Sequence, residues 1–136
     1  MEALPLRLRP GADLRAALEA ALSERSQRAG VIISGVGSLS SALVRLAGAS
    51  EPTQYGGNLE ILTLAGTVGS NGSHLHIAVA DSAGRVIGGH VAHGCIVRTT
   101  AEVTLLLLPD WSFNRELDPA TGFAELVVSR GPERAA

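Results

Sequence analysis

The 136 residues suffice for one domain with one hydrophobic core. Hydrophobic residues make up 46% of the chain and charged residues 18%, which excludes an intrinsically disordered protein. The formal net charge of −2 argues against a strong overall positive field for nucleic-acid binding, although a local basic patch is not excluded.

The single cysteine, Cys95, excludes a disulfide within the chain and a zinc cluster built from several cysteines. We interpret it as a small core residue. The N-terminal sequence MEALPLRLRPGADL lacks the apolar region of a signal peptide. No apolar run approaches the roughly 18 residues of a membrane span. We therefore expect a soluble cytoplasmic protein with no membrane partner.

The first part of the chain predicts a strand followed by a helix. Apolar residues alternate with others over Ala3–Leu8, as in a half-exposed strand. Asp13 then precedes a helical pattern that continues towards Gly30, which occupies the position favoured for a left-handed C-cap. The apolar face of this helix comprises Leu14, Ala17, Leu18, Ala21 and Leu22.

Beyond the helix the sequence takes the two-residue period of strands. The segment VIISGVG predicts a buried strand that ends in a bend, and residues 41–47 predict another strand. The segment SGVGSLSSA lacks the lysine and the spacing of a phosphate-binding loop, so a tight strand-to-strand bend is the preferred interpretation. Ser34 or Ser38 could still contact a ligand there. ASEPTQYGG predicts a loop.

The second part of the chain predicts four successive strands, in NLEILTLAGTV, SHLHIAVAD, RVIGGHVAH and TTAEVTLLLL. PDWSFNRELDPATGF is expected to be an irregular excursion, and AELVVSR a final strand. The fold class is therefore α+β, mainly an antiparallel sheet flanked by an N-terminal helix. We expect one domain over residues 1–130 and a flexible tail over 131–136.

Three of the four histidines lie in the segment HLHIAVADSAGRVIGGH. Residues two apart in a strand share a face, so His74 and His76 project together. Ser82, Ala83 and Gly84 suit a three-residue hairpin loop, which places His76 directly opposite His90. Three converging imidazoles can bind Zn²⁺ and leave a fourth position open. His74, His76 and His90 are therefore the predicted metal ligands.

Two alternatives accompany this prediction. Histidines occur on exposed sheets without binding a metal, and Gly88 and Gly89 could form a bulge that shifts the register. His93 has the opposite parity to His90, so we expect it to point away from the cluster.

Charged residues supply weaker functional candidates. Glu60 and Glu102 interrupt apolar strands, where a carboxylate usually faces solvent or pairs with an arginine such as Arg45 or Arg98. Either glutamate could instead support a histidine or act as a general base. Arg115 could bind an anion near a site, or form a surface salt bridge with Asp118. Glu102 and Arg115 are the weak candidates for catalytic residues.

Five segments together resemble the PPC domain, named for plants and prokaryotes conserved. They cover nearly the whole chain in order: RLRPGADL, AGVIISGVGSLSSALVRLA, LEILTLAGTV, HLHIAVADSAGRVIGGHVAHGCIVRTTAEV and FNRELDPATGFAEL. The resemblance implies a homotrimer with an antiparallel sheet flanked by helix. It also implies that His74, His76 and His90 bind a metal, with zinc as the expected cofactor.

The resemblance also raises the question of DNA. In plants this domain follows AT-hook motifs in nuclear DNA-binding proteins, and the prokaryotic relatives are stand-alone domains. An AT-hook needs an Arg-Gly-Arg-Pro core, but the sequence SRGPERAA contains only Arg130, Gly131 and Pro132 of such a pattern. DNA is therefore a partner that neither the charge nor a motif of this chain supports.

Two classes of function follow from these observations. The first is a regulatory or DNA-associated binding module with a three-histidine zinc site. The second is a zinc-dependent enzyme or small-ligand-binding protein that uses the open metal position. A structural scaffold in which the histidines have no role ranks third.

Overall fold

The computed structural model describes residues 1–131. Its main sheet has six strands in the order β1-β6-β2-β3-β4-β5, and β7 and β8 form a separate two-stranded sheet. All strand pairs are antiparallel, and one helix lies near the N-terminus, which confirms the α+β fold. The elements are β1 (Glu2–Leu8), α1 (Leu14–Ser23), β2 (Ala29–Arg45), β3 (Thr53–Gly69), β4 (Gly72–Ala80), β5 (Val86–Val91), β6 (Ile96–Leu107), β7 (Trp111–Asp118) and β8 (Phe123–Arg130).

An additional pairing closes part of the main sheet on itself. The end of β2 pairs with β5 through Val44 with Val91 and Arg45 with His90. Strands β2, β3, β4 and β5 therefore form a closed ring of pairings. The core is almost entirely aliphatic, and its largest fully buried side chains are Leu14, Leu18, Leu22, Leu39, Leu75, Leu105, Leu107, Val44, Val68, Val79, Val97 and Cys95.

The helix is shorter than the sequence pattern predicts. Asp13 caps its first turn by accepting a hydrogen bond from the Ala16 amide, but the helix ends at Ser23. The prediction that Gly30 is a C-cap is wrong, because Gly30 is buried in β2, and Ser26 has the positive φ of 53°. The polar residues after Leu22 offer no apolar side chain that would hold another turn against the sheet.

The bend predicted within SGVGSLSSA is also wrong. Strand β2 continues through this segment, and its irregularities are three register shifts, between Ile32 and Ser34, between Gly37 and Leu39, and between Leu39 and Ser41. Gly37 has a φ of 146°, and a Cβ there would overlap the backbone of Thr100. Glycine at this position thus lets β2 lie close to the backbone of β6 without interrupting the sheet.

The segment predicted as an irregular excursion forms β7 and the turn that follows it, and the predicted final strand AELVVSR lies in β8. Together β7 and β8 form a hairpin. Strands β7 and β8 pair from Trp111 with Arg130 to Asp118 with Phe123, and Gly122 takes a φ of 77° in the turn. The hairpin joins the body of the protein where the amide of Ser70 donates to the carbonyl of Phe113. The predicted loop ASEPTQYGG is likewise shorter, because β3 begins at Thr53.

The boundaries of the domain stay a prediction. The tail expected over 131–136 falls, except for Gly131, outside the described residues. Among the described residues, no helix has both the length and the apolar character needed to cross a membrane.

Gly66 should be sensitive to a single methyl group. Its φ is 139°, and a Cβ would overlap the carbonyl oxygen of His74 and lie 2.9 Å from Cα of Leu75. We expect Gly66→Ala to lower the free energy of unfolding by about 1–3 kcal/mol, measured by urea denaturation. Gly56→Ala in the same strand is the control, because its Cβ meets open space. Equal stability of the two variants would contradict the packing described for β3 and β4.

Candidate metal centre

Strand β4 presents its histidines opposite the core. Leu75, Ile77 and Val79 are buried, with relative exposures of 1%, 3% and 0%. His74 and His76 lie on the other face, which is half-buried to exposed. The alternation predicted from the sequence is confirmed, and burial of the aliphatic side chains fixes which way the histidines point.

The β4–β5 hairpin brings the third histidine to the same face. The amide of Asp81 donates to the carbonyl of Arg85 at 2.9 Å, and Gly84 takes a φ of 76°. The Asp81 carboxylate accepts from the amides of Ala83 and Arg85, which stabilises the loop. Pairing then runs without a register shift as far as His76 with His90. The alternative of a bulge at Gly88 and Gly89 is therefore wrong for this pair of strands.

The three rings converge on a small triangle of nitrogen atoms. Nε2 of His74 lies 3.1 Å from Nε2 of His76 and 3.2 Å from Nδ1 of His90. The remaining side, between His76 Nε2 and His90 Nδ1, is also 3.2 Å. We call these three residues the histidine cluster.

Hydrogen bonding alone does not account for this triangle. A nitrogen of a neutral imidazole is either a donor or an acceptor, and each of the three atoms faces both others. With three atoms and two roles, at least one contact must pair two donors or two lone pairs. A cation at the centre removes this conflict, because it can accept all three lone pairs. Two ligands of a tetrahedral zinc ion lie about 3.3–3.4 Å apart, close to the observed distances.

The protonation states suit a metal ligand. Burial lowers the pKa of His74, and the neighbouring Arg115, His76 and Arg45 lower it further, whereas Glu125 raises it. The pKa of His90 is lowered by burial first, and then by Arg45 and the other two histidines. Both shifts favour the neutral imidazole, which is the form that binds metal ions.

A cavity of about 810 Å³ adjoins the histidine cluster. His74 and His90 contribute to its wall, and the charged residues around it include Arg45, Arg115 and Glu125. Arg45 reaches it because β2 pairs with β5, while Arg115 and Glu125 come from the β7–β8 hairpin. We call this space the histidine cavity.

The sequence interpretation identified Arg115 but missed two neighbours of the histidine cluster. The sequence pattern does not place Arg45 near the histidines, and it does not single out Glu125. Placing Arg45 beside His90 requires knowing that β2 pairs with β5, and these two strands are far apart in sequence. For Glu125 the signal would be the pairing of β7 with β8, but β7 lies in the segment predicted to be irregular.

Other candidate residues lie elsewhere. Glu102 is exposed on β6, in register with Arg7 and Val36, and it does not line the histidine cavity. Glu60 is exposed on β3 opposite Ala80. Ser34 is exposed, whereas Ser38 is buried and shares a hydrogen bond of 2.6 Å with Thr99 Oγ1.

His93 points away from the histidine cluster. Its ring lies 3.7 Å from a carboxylate oxygen of Asp13 and 3.8 Å from one of Glu19. It lines a separate cavity of about 750 Å³ beside α1. His93 is therefore available as a control histidine for the cluster.

The fold and this cluster together define a small α+β domain with a candidate metal centre. Comparison of the sequence with known families identifies the domain. The Plants and Prokaryotes Conserved (PCC) domain, abbreviated PPC above, matches residues 1–109. The chain belongs to this family, as the resemblance predicts.

Curated relatives contain the domain within longer chains. The bifunctional protein GlmU of Synechococcus sp. strain JA-3-3Ab is 46% identical over 129 residues, which are 95% of this chain. Those residues are 21% of that protein, so the chain spans about one fifth of the curated relative that it matches.

Solved structures share the whole fold. A hypothetical protein of Salmonella enterica is 37% identical, with a TM-score of 0.91 and coverage of 95% of this chain and 94% of its own. A protein of Archaeoglobus fulgidus, described as metal-containing, is 28% identical, with a TM-score of 0.76 and coverage of 93% and 94%. A protein of Bacteroides thetaiotaomicron, named as a candidate DNA-binding protein, is 21% identical, with a TM-score of 0.82 and coverage of 92% and 91%. At that identity it shows the fold alone.

Cys95 should be inert in the folded protein. It is fully buried, and burial raises the pKa of its thiol from 9.0 to about 11. At pH 8 the thiolate fraction is therefore about a hundredfold below that of an ordinary thiol. We expect a disulfide reagent to modify Cys95 at least a hundredfold more slowly in native protein than in urea. Comparable rates under the two conditions would show that Cys95 is accessible.

Proposed function

We propose that this chain is a homotrimeric binding module that holds one zinc ion per subunit on His74, His76 and His90. The observation that carries the proposal is the triangle of ring nitrogens 3.1–3.2 Å apart, whose contacts hydrogen bonding alone does not satisfy. A zinc ion held there would supply a Lewis acid with one open position. The metal-containing relative from Archaeoglobus fulgidus supports this proposal.

The histidine cavity supports a role in ligand binding. Its volume of about 810 Å³ is within the range of small-molecule sites, and it adjoins the cluster that would hold the metal. The chain's own residues would bind and orient the ligand: Arg45 and Arg115 offer donors, and Glu125 offers an acceptor. Glu125 is also the carboxylate best placed for the alternative function, a zinc-dependent enzyme, because it lines the same cavity as His74 and His90.

DNA association is the second candidate function. The relative from Bacteroides thetaiotaomicron is named as a candidate DNA-binding protein, but at 21% identity the likeness shows only that the fold is shared. The net charge of −2 does not favour DNA association, and the clustered charges of the histidine cavity suit a small ligand better than a duplex. A regulatory role through a bound ligand remains compatible with either function.

Exposed aliphatic side chains support self-association. Ile33, Val36 and Leu62 lie on the central strands β2 and β3 with relative exposures of 58%, 46% and 49%. Neighbouring exposed apolar side chains are characteristic of protein interfaces. Together with the family resemblance, they support the homotrimer.

Loss of the histidine cluster should remove the metal. We expect about one zinc per chain in protein purified without a histidine tag, and less than a tenth of that in His76→Ala and in the His74→Ala/His76→Ala/His90→Ala variant. The loss is expected because each histidine supplies one of only three protein ligands. The metal content can be measured by mass spectrometry. His93→Ala is the matched control and should keep its zinc, since its ring is directed towards Asp13 and Glu19. Normal metal content in His76→Ala would refute the site.

The oligomer can be tested by adding a charge to the exposed apolar residues. Sedimentation equilibrium should give a mass three times the 14.0 kDa of the chain. We expect Leu62→Arg to dissociate this species, because a guanidinium is costly to bury in an apolar interface. Ser82→Arg, in the exposed β4–β5 loop, adds the same charge and should leave the mass unchanged. A monomeric wild-type protein would exclude the homotrimer.

A further inference from the structure

The histidine cavity contains two arginines that are each held by a neutral oxygen. Nη1 of Arg45 donates to the carbonyl of Ala49 at 3.1 Å, and Nη2 of Arg115 donates to Thr67 Oγ1 at 3.0 Å. The backbone of Arg115 is fixed as well, because its amide and its carbonyl both bond to the side chain of Asn71. Both guanidiniums are thus positioned, and both are half-buried.

Among residues 1–131, no carboxylate forms a salt bridge with either guanidinium. Within residues 1–131, the salt bridges of arginines are those of Arg15 with Glu19 and of Arg85 with Asp81. A guanidinium has five N–H donors, and the hydrogen bonds described above use one in each side chain. Arg45 and Arg115 therefore retain donors for a further partner in the cavity.

The charges around the cavity are unbalanced. Glu125 is the acidic residue of the lining, against Arg45 and Arg115, while Arg15 is already paired with Glu19. The two arginines lie beside the histidine cluster, since Arg45 is opposite His90 in the sheet and Arg115 lines the same cavity as His74 and His90. The potential at the cluster is therefore more positive than three neutral imidazoles alone would produce.

A metal dication makes this imbalance larger. Three neutral imidazoles contribute no negative charge, so a zinc ion would place two further positive charges beside two guanidiniums. An anion in the cavity offsets the repulsion and accepts the hydrogen bonds that the arginines still offer. The side of the cluster facing the cavity is where such an anion can lie.

We infer that the histidine cavity binds a small anionic ligand, with a carboxylate or phosphate group that accepts hydrogen bonds from Arg45 and Arg115 beside the metal. This inference rests on the proposed zinc site and names the class of ligand that the site takes. Glu125 lines the same cavity, so it disfavours further negative charge on the part of the ligand that lies beside it. The ligand is thus an anion with one charged end, small enough for about 810 Å³.

The test uses the zinc-loaded full chain, dialysed to remove free metal. Inorganic phosphate and acetate are titrated in separate calorimetric experiments, and the tighter ligand distinguishes a phosphate from a carboxylate site. We expect Arg45→Gln and Arg115→Gln each to weaken binding about tenfold, because each removes charge-assisted hydrogen bonds. Arg7→Gln is the control, since Arg7 lies on edge strand β1 opposite Glu102.

Metal analysis of the same samples separates the two proposals. A wild-type protein that holds zinc but binds neither anion overturns the inference and leaves the zinc site intact. Unchanged affinity in both arginine variants also overturns it. A wild-type protein without zinc overturns the proposed function, and the inference with it. Weakened anion binding with about one zinc per chain in both arginine variants is the expected result.

Discussion

Burial of one face of β4 is the constraint on which the candidate site depends. One face of β4 buries Leu75, Ile77 and Val79 in the core. Because side chains alternate along a strand, His74 and His76 must point to the opposite face. A shift of one residue would bury both histidines and expose three aliphatic side chains. The hydrophobic effect that stabilises the domain therefore also orients its candidate metal ligands.

Two further constraints complete the arrangement around this strand. The three-residue loop closed by Asp81 and Arg85 fixes which residue of β5 lies opposite His76. Closure of the sheet through β2 and β5 then places Arg45 next to His90. Local turn chemistry thus assembles the histidine cluster, whereas pairing between distant strands supplies the charges beside it.

The difference between local turns and long-range strand pairing explains which features could be predicted from the sequence. The order of strands in the hairpin, its register and the convergence of His74, His76 and His90 depend on residues 74–90 alone, and all were predicted. The end of α1 and the continuity of β2 depend on packing against partners far along the chain, so local patterns misplaced Gly30 and the bend near Gly37. Strand β8 was predicted, but β7 was missed because its burial does not alternate: Ser112 and Phe113 are both buried.

The candidate site is built from two separate parts of the chain. The histidine cluster lies within residues 1–109, which the family description covers, whereas Arg115 and Glu125 belong to the hairpin beyond it. A substitution in the hairpin would therefore change the charge of the cavity wall while leaving all three histidines in place.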